Sequence, residues 1–294
     1  MINLSIILPA FHEPYLNRTI DSILENAVTN IEIIPVIDAY EPEEPVRTGT
    51  NITTVYHKEN RGMRGSINSG LSVAQGKFIM KLDSHCIVAS GFDKVLTEDC
   101  EENWLMIPRR YSLNESKWEV DKDRYARDYH YFTFPEESGW GKAIFIGEWS
   151  GMDKARRDIE IDDTMAFQGS CWFANRKYFM THVGFLDDSP ETYGSIAEDQ
   201  LEIGLKYWLN GGEVKVDKRT WYAHLSKRGH HYQSRRFSRL HKRDEQYVKS
   251  SEWATKHWMN NQEEDMKEPF EYIINKFMPI PTWDKDWKKL WKKM

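Results

Sequence analysis

An α/β fold on an open, mostly parallel sheet is predicted by three observations. Residues 4–8, 31–37 and 78–82 are near-continuous apolar runs of strand length, as in strands covered on both faces. Between them, apolar residues recur at helical spacing. The resulting order, strand, helix, strand, strand, helix, strand, is the rhythm of such sheets.

Taken in order, Leu4-Ser5-Ile6-Ile7-Leu8 is the first strand and Pro9 is expected to end it. Pro14 suits a first helical turn, and Leu16, Ile20, Ile23, Leu24 and Ala27 continue that helix. A second strand closes at Asp38, and Ile52-Thr53-Thr54-Val55-Tyr56 reads as a third. Ile67, Leu71 and Ala74 mark a second helix, stopped by Gly76. The fourth strand runs into Asp83. Residues 108–165 lack clear periodicity and are expected to be long connections that shape a cleft. Order returns with a strand over residues 167–173 and a short helix through Tyr178, Phe179 and Val183. A longer helix follows Ser195 and stops at Gly211-Gly212, and residues 213–216 form a short strand.

Composition narrows the function. With 294 residues, 40% hydrophobic and 29% charged, the chain is neither disordered, collagen-like nor low-complexity. A net charge of −6 excludes a globally basic nucleic-acid coat. The 12 Trp, 14 Tyr and 13 Phe suit a cleft that stacks rings or sugar faces, although core packing accounts for most of them. Cys86, Cys100 and Cys171 form neither a disulfide framework nor a zinc pattern, which favours a reducing compartment. The N-terminus lacks a basic n-region and its apolar stretch breaks at Pro9, so it does not read as a signal peptide. No run approaches a membrane span. A cytoplasmic protein without a transmembrane segment is expected.

In open sheets, ligands bind beyond the carboxyl ends of strands, where Asp38 and Asp83 lie. In Asp83-Ser84-His85, residues i and i+2 of an extended segment point the same way, so one ion can face both. A carboxylate with an imidazole suits Mn²⁺ or a related divalent ion. The bare tripeptide also reads as an Asp capping the next loop.

Asn60-Arg61-Gly62, Asn68-Ser69-Gly70, Ala74-x-Gly76 and then Asp83-Ser84-His85 resemble glycosyltransferase family 2 and its relatives. The Asp-Ser-His form is especially similar to that of polypeptide N-acetylgalactosaminyltransferases. Gln168-Gly169-Ser170-Cys171-Trp172-Phe173, Phe185-Leu186-Asp187, Glu198-Asp199-Gln200 and Tyr207-Trp208-x-x-Gly211-Gly212 follow in the same order, and the resemblance covers about residues 3–228. It implies a GT-A fold, a Rossmann-like, mostly parallel sheet flanked by helices. Residues 1–228 would form that domain, and residues 229–294 a basic, Trp/Lys-rich helical C-terminal extension.

The same resemblance implies a metal-dependent glycosyltransferase, a hexosyl- or N-acetylhexosaminyl-transferase, moving a sugar from a UDP-sugar to an acceptor hydroxyl. Asp83, His85 and His224 would hold Mn²⁺ (or Mg²⁺). Asp38 would read uridine, and Pro9, Phe11 and Glu13 would touch the nucleotide. Arg64, Lys227 and Arg228 would approach the diphosphate. Asp199 would be the general base, with Glu198 and Trp172 contacting acceptor or sugar. Glu198 also reads as the N3 member of a capping box with Ser195. Trp140 and Trp149 are further stacking candidates. Glu198-Asp199-Gln200 departs from the Gly-Glu-Asn of the retaining relatives, so inversion and retention both stay open.

Residues 226–249 are rich in Lys, Arg and His and would suit a polyanionic acceptor. That admits a phage-type enzyme glycosylating 5-hydroxymethylpyrimidines in DNA. In residues 283–293, Trp283, Trp287, Leu290 and Trp291 share a helical face among lysines, which suits peripheral membrane contact or docking on the protein's own body. A nucleotidyltransferase would want a Gly-rich phosphate loop after the first strand, and Pro9-Ala10-Phe11-His12-Glu13-Pro14 has none. A non-catalytic glycan- or nucleic-acid-binding module is the remaining alternative. Asp83, His85 and Asp199 together argue against it.

Overall fold

The computed structural model describes residues 1–135, 142–195, 199–226 and 245–292. The first unit is β1 (Leu4–Ala10), α1 (Leu16–Asn26), β2 (Ile31–Asp38), β3 (Val55–His57), α2 (Gly62–Val73) and β4 (Phe78–Leu82). β5 (Cys86–Val88), α3 (Phe92–Glu98), β6 (Trp104–Asn114) and β7 (Glu119–Val120) follow. Then come β8 (His130–Phe132), β9 (Ile146–Glu148), α4 (Ser150–Ala155), β10 (Ile161–Asp163) and β11 (Cys171–Asn175). After these lie α5 (Arg176–His182), α6 (Asp199–Leu209) and β12 (Glu213–His224).

Ten strands form one sheet, in the order β10-β12-β6-β11-β4-β1-β2-β3, with β5 on β12 and β7 on β6. β1 pairs parallel with β2 and β4, β2 with β3, and β6 with β12. β11 runs antiparallel between β4 and β6. The sheet is therefore mixed but mostly parallel, as expected. Alternate residues of its central strands feed two cores. Leu4, Ile6 and Leu8 pack with α1 and α3 on one face, while Ile7, Ile79 and Trp172 pack with α2, α5 and α6 on the other. Coverage of both faces explains the unbroken apolar runs.

Three elements differ from expectation. Pro9 does not end β1, which continues to Ala10. β4 pairs with β1 only as far as Ile7, so the absent Pro9 N–H costs no ladder bond. β6, 11 residues long, starts at Trp104 and runs to Asn114, into the region from residue 108 expected to be connections. β12 is 12 residues long rather than a short strand. Its inner half is polar, and Lys215 and Arg219 are spent on ion pairs with Asp163 and Asp217, which hides any apolar alternation.

The last helices, Glu245–Met259, Glu271–Phe277 and Trp287–Trp291, share the core of the α6 face. Trp258, Phe270, Trp283 and Trp287 are buried there with Trp208 and Phe132. Trp258 Nε1 donates to Tyr193 Oη at 2.7 Å, and Trp283 Nε1 donates to the Phe132 carbonyl at 2.6 Å. Thus Trp283 and Trp287, weighed above as membrane-facing rings, are docked on the body, while Leu290 stays exposed. No described helix is long and apolar enough to cross a membrane.

Candidate active site

The carboxyl ends of β1, β2 and β4 open onto a cavity of about 340 Å³. Pro9 and Phe11 from the end of β1, Asp83 and His85 beyond β4, Gly169 just before β11 and Asp199 at the start of α6 line it. His224 arrives from far along the chain because β12 runs antiparallel to β5, which places it across from Cys86, next to His85.

The ligating atoms of Asp83, His85 and His224 lie within 4.8 Å of one another. His224 Nε2 is 3.0 Å from His85 Nε2 and 3.1 Å from Asp83 Oδ2, and His85 Nε2 is 3.8 Å from that oxygen. Two ring nitrogens turned toward each other and toward one carboxylate oxygen form a donor set suited to a divalent cation that accepts nitrogen and oxygen. His85 Nδ1 donates to Glu13 Oε2 at 2.9 Å, which leaves the Nε2 lone pair facing inward. Burial, working against the Asp83 hydrogen bond, pushes His224 down to about 4, so its ring is neutral at physiological pH. Burial alone would raise the Asp83 carboxyl. Lys81 and the His224 hydrogen bond together outweigh it and hold the group well below the usual range.

Lys81 was not anticipated, although a lysine inside an apolar strand, two residues before an aspartate, is a readable anomaly. It is 1% exposed. Its Nζ donates to Asp83 Oδ1 at 2.5 Å and to the Gly169 carbonyl at 2.6 Å. Burial alone would lower its affinity for the proton, and the charges of Asp83 and Asp199 more than compensate.

Asp199 opens α6 and lines the same cavity. Its Oδ2 is buried and has no hydrogen-bond partner among the described residues. Burial raises its carboxyl above the ordinary value, and Lys81 and Arg64 only partly offset this. The group is therefore more basic than the ordinary first-turn acid expected from the sequence. Gly169 lies beneath it, and a Cβ there would stand 3.2 Å from Asp199 Oδ2 and 3.1 Å from Gln200 Oε1, pressing on both side chains.

Several expected contacts are reassigned by the geometry. Asp38 borders the cavity, but its Oδ1 accepts from His57 Nδ1 and Arg61 N, and its Oδ2 from Asn60 Nδ2 and Gly62 N. A carboxylate offers about four acceptor sites, and all are used, which leaves none for a uracil N3–H. Asp38 instead satisfies backbone N–H groups at the start of α2. Arg64 is fully buried and does not reach the cavity. It pairs with Glu202, donates to the Asp187 carbonyl at 2.7 Å and lies over the Tyr193 ring. Glu13 lines the cavity but holds His85. Glu198, Lys227, Arg228, Trp140 and most of residues 226–249 lie outside the described residues.

Trp172 is 0% exposed and stacks on Phe179 with ring centroids 4.9 Å apart, so it contacts core rather than sugar. Along β11 the face opposite Phe173 is the α5 face, and tryptophan fills it. Trp172→Ala is expected to destabilise the fold by about 3–5 kcal/mol, measured by urea unfolding. Trp172→Phe should leave nucleotide affinity unchanged, and a changed affinity would restore the ring to the binding site.

The glycosyl transferase family 2 model matches residues 5–183. Mouse polypeptide N-acetylgalactosaminyltransferase 6 is 25% identical over 222 residues, covering 68% of this chain and 33% of its own length. The uncharacterized glycosyltransferase EpsJ of Bacillus subtilis is 33% identical over 110 residues, covering 35% of this chain and 32% of its own. The chain thus spans about a third of the length of these curated relatives. Among solved structures, GalNAc-T7 crystallised with UDP, GalNAc and Mn²⁺ superposes with a TM-score of 0.61 at 15% identity, covering 100% of this chain and 55% of that one. That likeness establishes a shared GT-A fold. With the family model spanning most of the sheet, the chain belongs to glycosyl transferase family 2.

Proposed function

We propose that this chain is a metal-dependent glycosyltransferase that takes a sugar from a UDP-sugar and transfers it to an acceptor hydroxyl. The observation that carries the reading is the convergence of Asp83, His85 and His224 in one cluster, two of whose members, Asp83 and His85, line the same cavity as Asp199. Asp83, His85 and His224 would hold Mn²⁺ or Mg²⁺, and a bound cation supplies Lewis-acid stabilisation of the departing diphosphate. Glu13 keeps His85 in the ligating tautomer. Pro9 and Phe11 form the wall against which the nucleotide lies, and Asp38 acts indirectly, by fixing the start of α2. Asp199 Oδ2, raised in basicity by burial, accepts the acceptor hydroxyl's proton. Similarity to enzymes whose names specify N-acetylgalactosamine transfer supports the donor class, and the acceptor stays general.

Calorimetry with UDP tests the donor site. Binding is expected with Mn²⁺ and is expected to vanish in EDTA. No binding of UDP under either condition would sink the reading.

A further inference from the structure

The cation cluster proposed above has an unusual surrounding. Groups behind metal ligands ordinarily accept hydrogen bonds and raise ligand basicity, as Glu13 does for His85. The other two ligands are backed by cations. Lys81 Nζ occupies Oδ1 of Asp83 at 2.5 Å, leaving only Oδ2 turned toward the two imidazoles. Arg110, on β6 opposite Tyr222, brings Nη2 to 3.4 Å from His224 Nδ1, and its Nε is buried without a hydrogen-bond partner among the described residues.

Both placements disfavour a lone cation. An ammonium on one carboxylate oxygen neutralises the negative charge that would attract the ion and repels the ion directly. A guanidinium donating to Nδ1 favours the tautomer whose Nε2 carries a proton and cannot ligate. What the cluster lacks is negative charge, and a nucleoside diphosphate bridging to the ion carries it. Resting on the reading of this cluster as a cation site, we propose that Lys81 and Arg110 keep its affinity for a free divalent cation low, so that cation and nucleotide diphosphate are taken up together. Lys81 acts through Asp83 and Arg110 through His224, so both are positioning residues.

The test is Mn²⁺ binding to the full chain, followed by the paramagnetic resonance of the free ion, with and without UDP. Wild type, Lys81→Met, Lys81→Arg and Arg110→Met are compared after circular dichroism confirms folding. Wild type should bind Mn²⁺ weakly alone and at least about tenfold more tightly with UDP. Lys81→Met should bind free Mn²⁺ at least about tenfold more tightly than wild type, within the roughly 10–100-fold range of outer-shell changes. The tightening by UDP should shrink accordingly. Lys81→Arg, which keeps the charge, should stay near wild type. Arg110→Met should shift in the same direction as Lys81→Met, and carries the test if Lys81→Met does not fold. Free-ion affinity unchanged or weakened in both methionine variants, with wild type still binding Mn²⁺, overturns the proposal and leaves the cation site standing. So does tight wild-type binding that UDP does not improve. Wild type that binds no Mn²⁺ in either condition overturns the cation site, and this proposal falls with it.

Discussion

Asp83→Asn is expected to abolish cation-dependent UDP binding, with affinity in the presence of Mn²⁺ falling to the level seen in EDTA. The substitution keeps shape and volume but removes the charge from the one carboxylate in the cluster, whose Oδ2 stands 3.1 Å from His224 Nε2. An amide oxygen is a poor substitute for an ionised ligand, and Lys81, 1% exposed, would lose its nearest counter-charge. Leaving a buried charge unpaired typically costs about 3–5 kcal/mol, so the variant should also melt earlier. The Lys81→Met/Asp83→Asn double variant should recover much of that stability without recovering UDP binding. Retained metal-dependent binding in Asp83→Asn would remove this residue from the cation site.

The second large effect is expected at Asp199. Asp199→Asn should lower turnover by roughly 10²–10⁴-fold, the usual contribution of a positioned base, with UDP affinity unchanged because the residue is not a member of the Asp83–His85–His224 cluster. The pH profile supplies an independent readout. Asp199 works only when ionised, so the rate should rise with pH through its ionisation. Burial, with Lys81 and Arg64 offsetting it in part, raises that ionisation above the ordinary carboxylate value, so the acid limb should lie at higher pH than for an exposed aspartate. Replacement by Asn should remove the limb from the residual rate. A variant that turns over at the wild-type rate would exclude Asp199 as the base.

Asp199 also shows where sequence reasoning stopped. Its place after a capping-box pattern was readable, and a first-turn acid next to a helix N-terminus is expected to stay readily ionised. Its actual environment is set by Gly169, Lys81 and Arg64, which lie far away in the chain. Asp38 teaches the same lesson in the opposite sense. Its position at the end of β2 was legible, whereas the use of both oxygens by His57, Asn60, Arg61 and Gly62 depends on how the β3–α2 connection folds back. Trp172 and Arg64 carried familiar motif positions yet face the interior, Trp172 because it points to the α5 face of the sheet and Arg64 because it is drawn to Glu202, the Asp187 carbonyl and the Tyr193 ring.

Short-range patterns determined much of this protein by themselves. Apolar runs marked the parallel strands, helical spacing marked α1 and α2, and Asp83-Ser84-His85 marked the end of β4 that borders the cavity, since strand alternation and helix periodicity are properties of neighbouring residues. Tertiary structure alone decided the antiparallel insertion of β11, the length of β12, and the docking of Trp283 and Trp287. It also brought His224 beside His85 and placed Lys81 and Arg110 behind the cluster. Those outcomes rest on contacts between residues up to more than a hundred positions apart, such as His224 with Asp83. Which side chain meets which across such distances is settled by packing and charge pairing in the folded sheet, and no local pattern encodes it.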